Sequence, residues 1–299
     1  MKAERLPDRD SQPYPSWRRR AITRGWSCLR FMLVLYLSVV LMLLFLENML
    51  VYPARKFPAG DWQPAGLGQT EVNFKSADGT ALHGWLVEAP QPRAHVLLFH
   101  GNGEHVADLA ELLRYLRDVQ HVSVFAIDYR CYGRSAGKPN EKGVIEDGHA
   151  AHDWLRVNAG LKPEDIVLMG RSLGAAVAID VASVHGARGL IMEGSFTTMP
   201  DAASHIYPFI PVRWLMRNRY DSIDKITRYH GPLLQIHGID DEIVPVALGE
   251  KLFAAAPSEN KTLLKIPHRG HNDLWLDDYA PQLTKFLESL PANPEDEEH

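Results

Sequence analysis

The sequence predicts an α/β fold built on a doubly wound, mostly parallel sheet, and three observations carry that prediction. Strand-like apolar runs alternate with helix-patterned stretches from residue 69 to 291. The later strand runs are apolar throughout, as strands of a sheet covered on both faces must be. Finally, Ile166-Val-Leu-Met169 leads directly into Gly170-Arg-Ser172-Leu-Gly174 and a small-residue helix pattern, a strand, a sharp turn and a helix with serine at the apex.

The length of 299 residues, 45% hydrophobic and 23% charged, favours one large domain with additions over two domains. Residues 1–30 hold eight Lys/Arg against three Asp/Glu, a local +5 that leaves −10 on the rest of a chain with net charge −5. A nucleic-acid binder would place positive charge on the folded domain, so no nucleic-acid partner is expected. Cys28 and Cys131 are too few and too differently placed for a disulfide framework or a cysteine metal site.

In chain order, 1–30 is a basic segment whose first 17 residues are polar and expected to lack fixed structure. Phe31 to Leu46 is apolar, and sixteen helical residues span about 24 Å, somewhat short of a ~30 Å hydrocarbon core. Continuing to Tyr52 supplies the remainder, so 31–52 is predicted to be an uncleaved membrane anchor with Tyr52 at the far interface. No Ala-x-Ala-like cleavage site follows, which argues against a signal peptide. The arginines then stay cytoplasmic, and the remaining chain lies in the periplasm or another non-cytoplasmic space.

A linker covers 53–68 and the α/β domain 69–291, followed by an acidic tail at 292–299 that carries no predicted role. Strands are expected at 71–75, 81–88, 95–99, 122–127, 166–169, 189–192, 233–236 and 262–266, eight in all. The first two alternate in polarity, as antiparallel edge strands do. Helical patterns fall at 106–118, 144–158, 173–185, 247–256 and 279–290. A small cap is expected after the sixth strand, at about 194–226.

In such a sheet, sites lie beyond the carboxyl ends of strands. A tight turn at Ser172 strains its backbone and lifts its hydroxyl above the sheet, and Gly170 and Gly174 spare the turn a backbone collision. Serine needs a positioned base, and the base needs a carboxylate to hold its tautomer. The loop after 233–236 supplies Asp240, Asp241 and Glu242; Asp241 is favoured, Asp240 second, and Glu193 is a further candidate. The loop after 262–266 supplies His268 and His271, of which His271, after Gly270, better suits a side chain turned back to the serine. No third ligand accompanies this His-x-x-His pair, so no metal is expected. Main-chain N–H groups of Asn102 and Leu173 are the expected oxyanion donors, with Gly103 an alternative to Asn102. His100 and His105 are expected to be structural. The apolar insertion offers Phe196, Met199, Tyr207, Phe209 and Trp214 as a candidate acyl pocket or a surface resting on a bilayer.

With Phe99-His-Gly-Asn-Gly103, Asp128-Tyr-Arg-Cys-Tyr-Gly-Arg-Ser135, Gly170-Arg-Ser-Leu-Gly174, His237-Gly-Ile-Asp-Asp-Glu-Ile-Val-Pro245 and Gly270-His-Asn-Asp273 in place, the chain resembles the α/β-hydrolases. Within them it is similar to the membrane-anchored, abhydrolase-domain serine hydrolases related to the Bem-type proteins of yeast and bacteria. The resemblance implies a Ser172, Asp241, His271 triad, matching the choice made from the residues. Cys131 stands where such sequences usually have glycine, and Gly103 where many have alanine; Cys131 is read as a packed thiol. The expected function is hydrolysis of carboxylic esters, possible substrates including lipid esters and thioesters, with no cofactor. A serine aminopeptidase using Glu193 or Asp201 to hold the substrate amine, and a non-catalytic membrane scaffold, are the competing expectations.

Overall fold

The computed structural model describes residues 16–274 and 276–291; the predicted unstructured stretch up to residue 15 and the acidic tail at 292–299 lie outside the described residues. After α1 (Ser16–Phe45) and a short α2 (Glu47–Val51), the chain forms β1 (Thr70–Lys75), β2 (Ala81–Val87) and β3 (Ala94–Phe99). Next come α3 (Ala110–Asp118), β4 (Val122–Asp128), α4 (Glu141–Asn158), β5 (Ile166–Arg171), α5 (Leu173–His185) and β6 (Gly189–Glu193). Three short helices, α6 (Met199–Ile206), α7 (Val212–Leu215) and α8 (Ser222–Lys225), form the cap. Then β7 (Leu233–Gly238), α9 (Val246–Ala255), β8 (Lys261–Ile266) and α10 (Leu276–Glu288) complete the order.

The chain parts into two units between Glu47 and Asn48. The first is essentially α1, whose Arg24–Phe45 stretch is long and apolar enough to cross a membrane. Its apolar side chains are exposed almost throughout, which a core helix of a soluble protein would not tolerate. The apolar helix ends seven residues earlier than expected, and Tyr52 is no interfacial anchor. Its ring is buried, and its hydroxyl donates to Asn218 Oδ1 at 2.7 Å and meets the Tyr220 hydroxyl at 2.8 Å. The polar atoms of this segment find their partners in the folded domain, so it belongs there rather than to the span.

In the second unit the strands assemble in the order β1-β2-β4-β3-β5-β6-β7-β8. β2 is antiparallel to both neighbours, and every pair from β4–β3 to β7–β8 is parallel. The period-two alternation of strand side chains feeds two cores. Leu97, Phe99, Phe125, Ile127, Leu168 and Met192 pack under α4, α5 and α9, while Val96, Leu98, Val124, Val167, Ile191 and Ile236 pack under α3 and α10. Two strand expectations are corrected. β2 lies inside the sheet and is largely buried, so only β1 is an edge on that side; β8 is the other edge, and its half-exposed lysines reflect that. α5 is buried nearly all round, and its run of Gly and Ala lets it lie close against the sheet.

Candidate active site

At the carboxyl end of β5 the chain reverses into α5 through Ser172, which sits at φ 51° and ψ −111°. That is a left-handed conformation costly for any residue with a Cβ, and its neighbours enforce it. A Cβ on Gly170 would stand 2.2 Å from the Gly174 carbonyl oxygen, and one on Gly174 would stand 2.1 Å from the Phe99 carbonyl oxygen. The Ser172 N–H donates to the Glu193 carbonyl at 2.8 Å, pinning the turn to the next strand.

Three side chains from three strand ends meet there. His271 Nε2 lies 2.9 Å from Ser172 Oγ, and His271 Nδ1 lies 2.7 Å from Asp241 Oδ2. Of the three acids after β7, only Asp241 turns inward; Asp240 and Glu242 are exposed. Its other oxygen accepts the N–H groups of Ile243 and Val244 at 2.9 and 2.6 Å, and His237 Nε2 lies 3.4 Å from Oδ2. Burial alone would raise the Asp241 pKa, but the bonds from His237, His271 and the Val244 N–H, with attraction to His271, hold it well below the usual carboxylate range. His268, the alternative histidine, points to water beside Asp240. Gly194, at φ 57°, leaves room for the imidazole, since a Cβ there would stand 3.1 Å from His271 Cε1.

The Leu173 N–H opens α5 and has no carbonyl one turn back to bond. It and the helix dipole are available to negative charge arising beside Ser172. The Asn102 side chain is turned elsewhere: Nδ2 donates to the Val51 carbonyl at 2.6 Å, and Oδ1 accepts the Tyr132 hydroxyl at 2.5 Å. Its main-chain N–H is thus the group it can offer. His100 braces this loop, its Nδ1 against the Gly101 carbonyl at 2.7 Å.

Arg171, Glu104 and Gly194 received no role from the sequence, although each borders the site. Arg171 donates to Glu104 at 2.7 Å and to the His271 carbonyl at 3.0 Å, and its Nε lies 3.2 Å from Glu193. Glu104 in turn accepts the Gly101 N–H at 2.8 Å. One guanidinium therefore ties together the Gly101–Glu104 loop, the end of β6 and the histidine loop. Its position beside the serine in the motif was the available clue, but a surface-type residue on a turn gives no hint of three partners distant in sequence. Burial raises the Glu193 pKa, against the pull of Arg171.

The candidate pocket residues separate. Phe196 is buried and Met199 half-buried, but Phe209 and Trp214 are each 88% exposed and Tyr207 is 48% exposed. Tyr207, Phe209 and Trp214 therefore do not wall an enclosed acyl slot; they project from the short, solvent-facing cap. A polar cleft of about 520 Å³ beside the cap, lined by Asn48, Asn140, Glu141, Asn218 and Lys225 among others, contains none of Ser172, Asp241 and His271. Among the described residues, no cluster of three or more His, Cys, Asp or Glu is arranged to hold a metal.

Comparison with known proteins agrees with the fold. A family model described as serine aminopeptidase, S33, matches residues 90–226. The chain is 37% identical over 212 residues to an uncharacterized protein of Mycobacterium tuberculosis, Rv2307c, covering 70% of this chain and 74% of that one. It is 32% identical to mouse alpha/beta hydrolase domain-containing protein 17C, covering 76% of this chain and 71% of the relative. Among solved structures, the Pyrococcus furiosus esterase Pf2001 superposes with a TM-score of 0.68 at 20% identity, covering 80% of this chain and 97% of that one. The chain belongs to the α/β-hydrolase superfamily.

Proposed function

We propose that this chain is a membrane-tethered serine hydrolase that cleaves carboxylic esters through an acyl-enzyme. The observation that carries the reading is the unbroken chain from Asp241 through His271 to a serine held in a strained turn, with contacts of 2.7 and 2.9 Å. In this reading His271 Nε2 accepts the Ser172 proton as Oγ attacks the ester carbonyl. Asp241, held ionised by its N–H bonds, keeps the imidazole proton on Nδ1 and stabilises the imidazolium. The N–H groups of Leu173 and Asn102 receive the oxyanion. The proton passes to the departing alcohol, leaving an ester on Ser172; water, deprotonated by the same histidine, releases the carboxylic acid. The Arg24–Phe45 helix is the tether, with its arginine-rich side cytoplasmic and the hydrolase domain opposite.

A peptidase that holds a substrate amine needs an uncommitted carboxylate near the serine. Glu193 is paired with Arg171, and Asp201 accepts Thr197 Oγ1 at 2.7 Å and faces Arg213 at 3.3 Å. These commitments favour the ester over the aminoacyl amide. The test is labelling by a fluorophosphonate together with turnover of p-nitrophenyl butyrate and an aminoacyl p-nitroanilide. We expect labelling and ester turnover that both vanish in Ser172→Ala, a loss of at least about a thousandfold. A folded, unreactive wild type would favour the scaffold, and faster amide than ester turnover the peptidase.

A further inference from the structure

The cap carries an exposed apolar group that the proposed chemistry does not use. Ile206, Tyr207, Phe209 and Trp214 are 47%, 48%, 88% and 88% exposed, respectively, on a projection of only two short helices. Arg213 Nε, 3.2 Å from Ser204 Oγ, links α7 to α6 and keeps the group together. We infer that this projection docks into the headgroup region of a lipid bilayer, and that the site therefore draws acyl esters from that bilayer. The substrate half of this inference rests on the esterase reading and the tether above.

Three independent observations select a bilayer as the occupant. The first is tethering distance. Asn48 follows Phe45 by three residues, so it lies within about 10 Å of the end of the apolar helix whatever direction the helix takes. Asn218 Nδ2 donates to Asn48 Oδ1 at 2.9 Å, and Trp214 is only four residues from Asn218, at most about 14 Å of chain. The exposed tryptophan is thus held within roughly 35 Å of the point where the chain leaves the membrane. The second is rigidity. Tyr52 bonded to Asn218 and Tyr220, with the Glu141 carboxylate accepting the Arg219 and Tyr220 N–H groups at 2.5 and 2.9 Å, fastens this end of the cap to the emerging chain. The third is chemistry. Trp, Tyr and Phe are the side chains that settle at membrane interfaces, and here they stand beside three arginines, of which Arg213 faces Asp201 at 3.3 Å and Arg219 faces Asp221 at 3.5 Å.

The full chain tests this after reconstitution into vesicles of phosphatidylcholine and phosphatidylglycerol. In a Cys28→Ala, Cys131→Gly background, an environment-sensitive fluorophore placed on Phe209→Cys should shift to the blue and be quenched by doxyl-labelled lipid. The same label on Val157→Cys should do neither, since Val157 is 81% exposed near the far end of α4. A water-like, unquenched signal at position 209 would overturn the docking surface, independently of any catalysis. Separately, Phe209→Ser with Trp214→Ser should lower turnover of a vesicle-embedded long-chain monoacyl ester at least tenfold while leaving p-nitrophenyl butyrate turnover within about twofold. Equal losses on both substrates would overturn the inference, because the residues would then be structural. If the label reports insertion but the wild type cleaves neither ester, the docking surface stands and the esterase reading falls.

Discussion

Arg171 stands beside the serine in Gly170-Arg-Ser-Leu-Gly174, and its guanidinium spans groups contributed by residues 104, 193 and 271. A planar fork with several donors can serve three partners at fixed angles, whereas an ammonium cannot. Arg171→Met should therefore loosen the Gly101–Glu104 loop and the histidine loop together. We expect kcat/KM on p-nitrophenyl butyrate to fall at least tenfold, about 1.4 kcal/mol of transition-state stabilisation, with Arg171→Lys intermediate. Unchanged kinetics in both variants would remove Arg171 from the positioning of the site. The contrast with Ser172 is instructive about what residue order reveals. Ser172, an acid after β7 and a histidine after β8 could be read from strand ends because catalysis demands those residue types in those loops. The choice of Asp241 over Asp240 and Glu242 rests on which carboxylate meets the Ile243 and Val244 N–H groups, a matter of loop geometry. Cys131 was recognised as an oddity where glycine is usual; its φ of 76° supplies the reason, since that left-handed backbone suits glycine best.

Between α4 and α5 lies a histidine cluster. His152 stacks on His185 with ring centroids 4.4 Å apart, and His149 joins His185 Nε2 and Asp180 Oδ1 at 2.9 Å each. His152 is fully buried with neither ring nitrogen hydrogen-bonded, and burial, reinforced by His185, pushes its pKa down to about 4 from an ordinary 6.5. A depressed histidine pKa means the unfolded chain binds a proton the folded one refuses, so stability falls as pH drops through 6.5 and levels off below about 4. At ~1.4 kcal/mol per pH unit, the full effect is roughly 3 kcal/mol. Urea melts at pH 7 and pH 5 should show the loss, and His152→Phe should remove a large part of it; an unchanged difference between the two pH values would refute the assignment. These two helices also mark what pattern alone could recover. α5 matched its apolar run residue for residue, but α4 begins three residues earlier than expected because the Asn140 side chain accepts the Gly143 N–H and starts the helix over polar residues. The cap was legible as an insertion, yet its exposure was not, because an aromatic side chain reads the same whether it faces a pocket or solvent.

At the scale of the molecule, the short segment after the apolar helix is bonded into the folded domain that follows it. Asn48, Val51 and Tyr52 bond Asn218, Asn102 and both Asn218 and Tyr220, respectively, so the Gly101–Glu104 loop and the cap are both fastened to chain that the sequence pattern assigns to the membrane. The division between the two units at Glu47–Asn48 therefore predicts different fates for two truncations five residues apart. A chain of residues 48–299 keeps every one of these bonds. It should be folded, and its kcat/KM on p-nitrophenyl butyrate should stay within about threefold of the full chain. A chain of residues 53–299 loses the buried Tyr52 ring, a change of the kind that costs about 3–5 kcal/mol, and also strips partners from Asn102 and Asn218. It should melt at least about 10 °C lower or fail to fold, and any soluble fraction should be at least tenfold slower. Equal melting temperature and activity for the two truncations would show that the brace does not matter. On a vesicle-embedded ester, by contrast, the proposed tether predicts that 48–299 should already fall behind the full chain, because without the apolar helix the local concentration of lipid would be lost. The two substrates thus separate what residues 48–52 do for the active site from what the helix before them does for access to the bilayer.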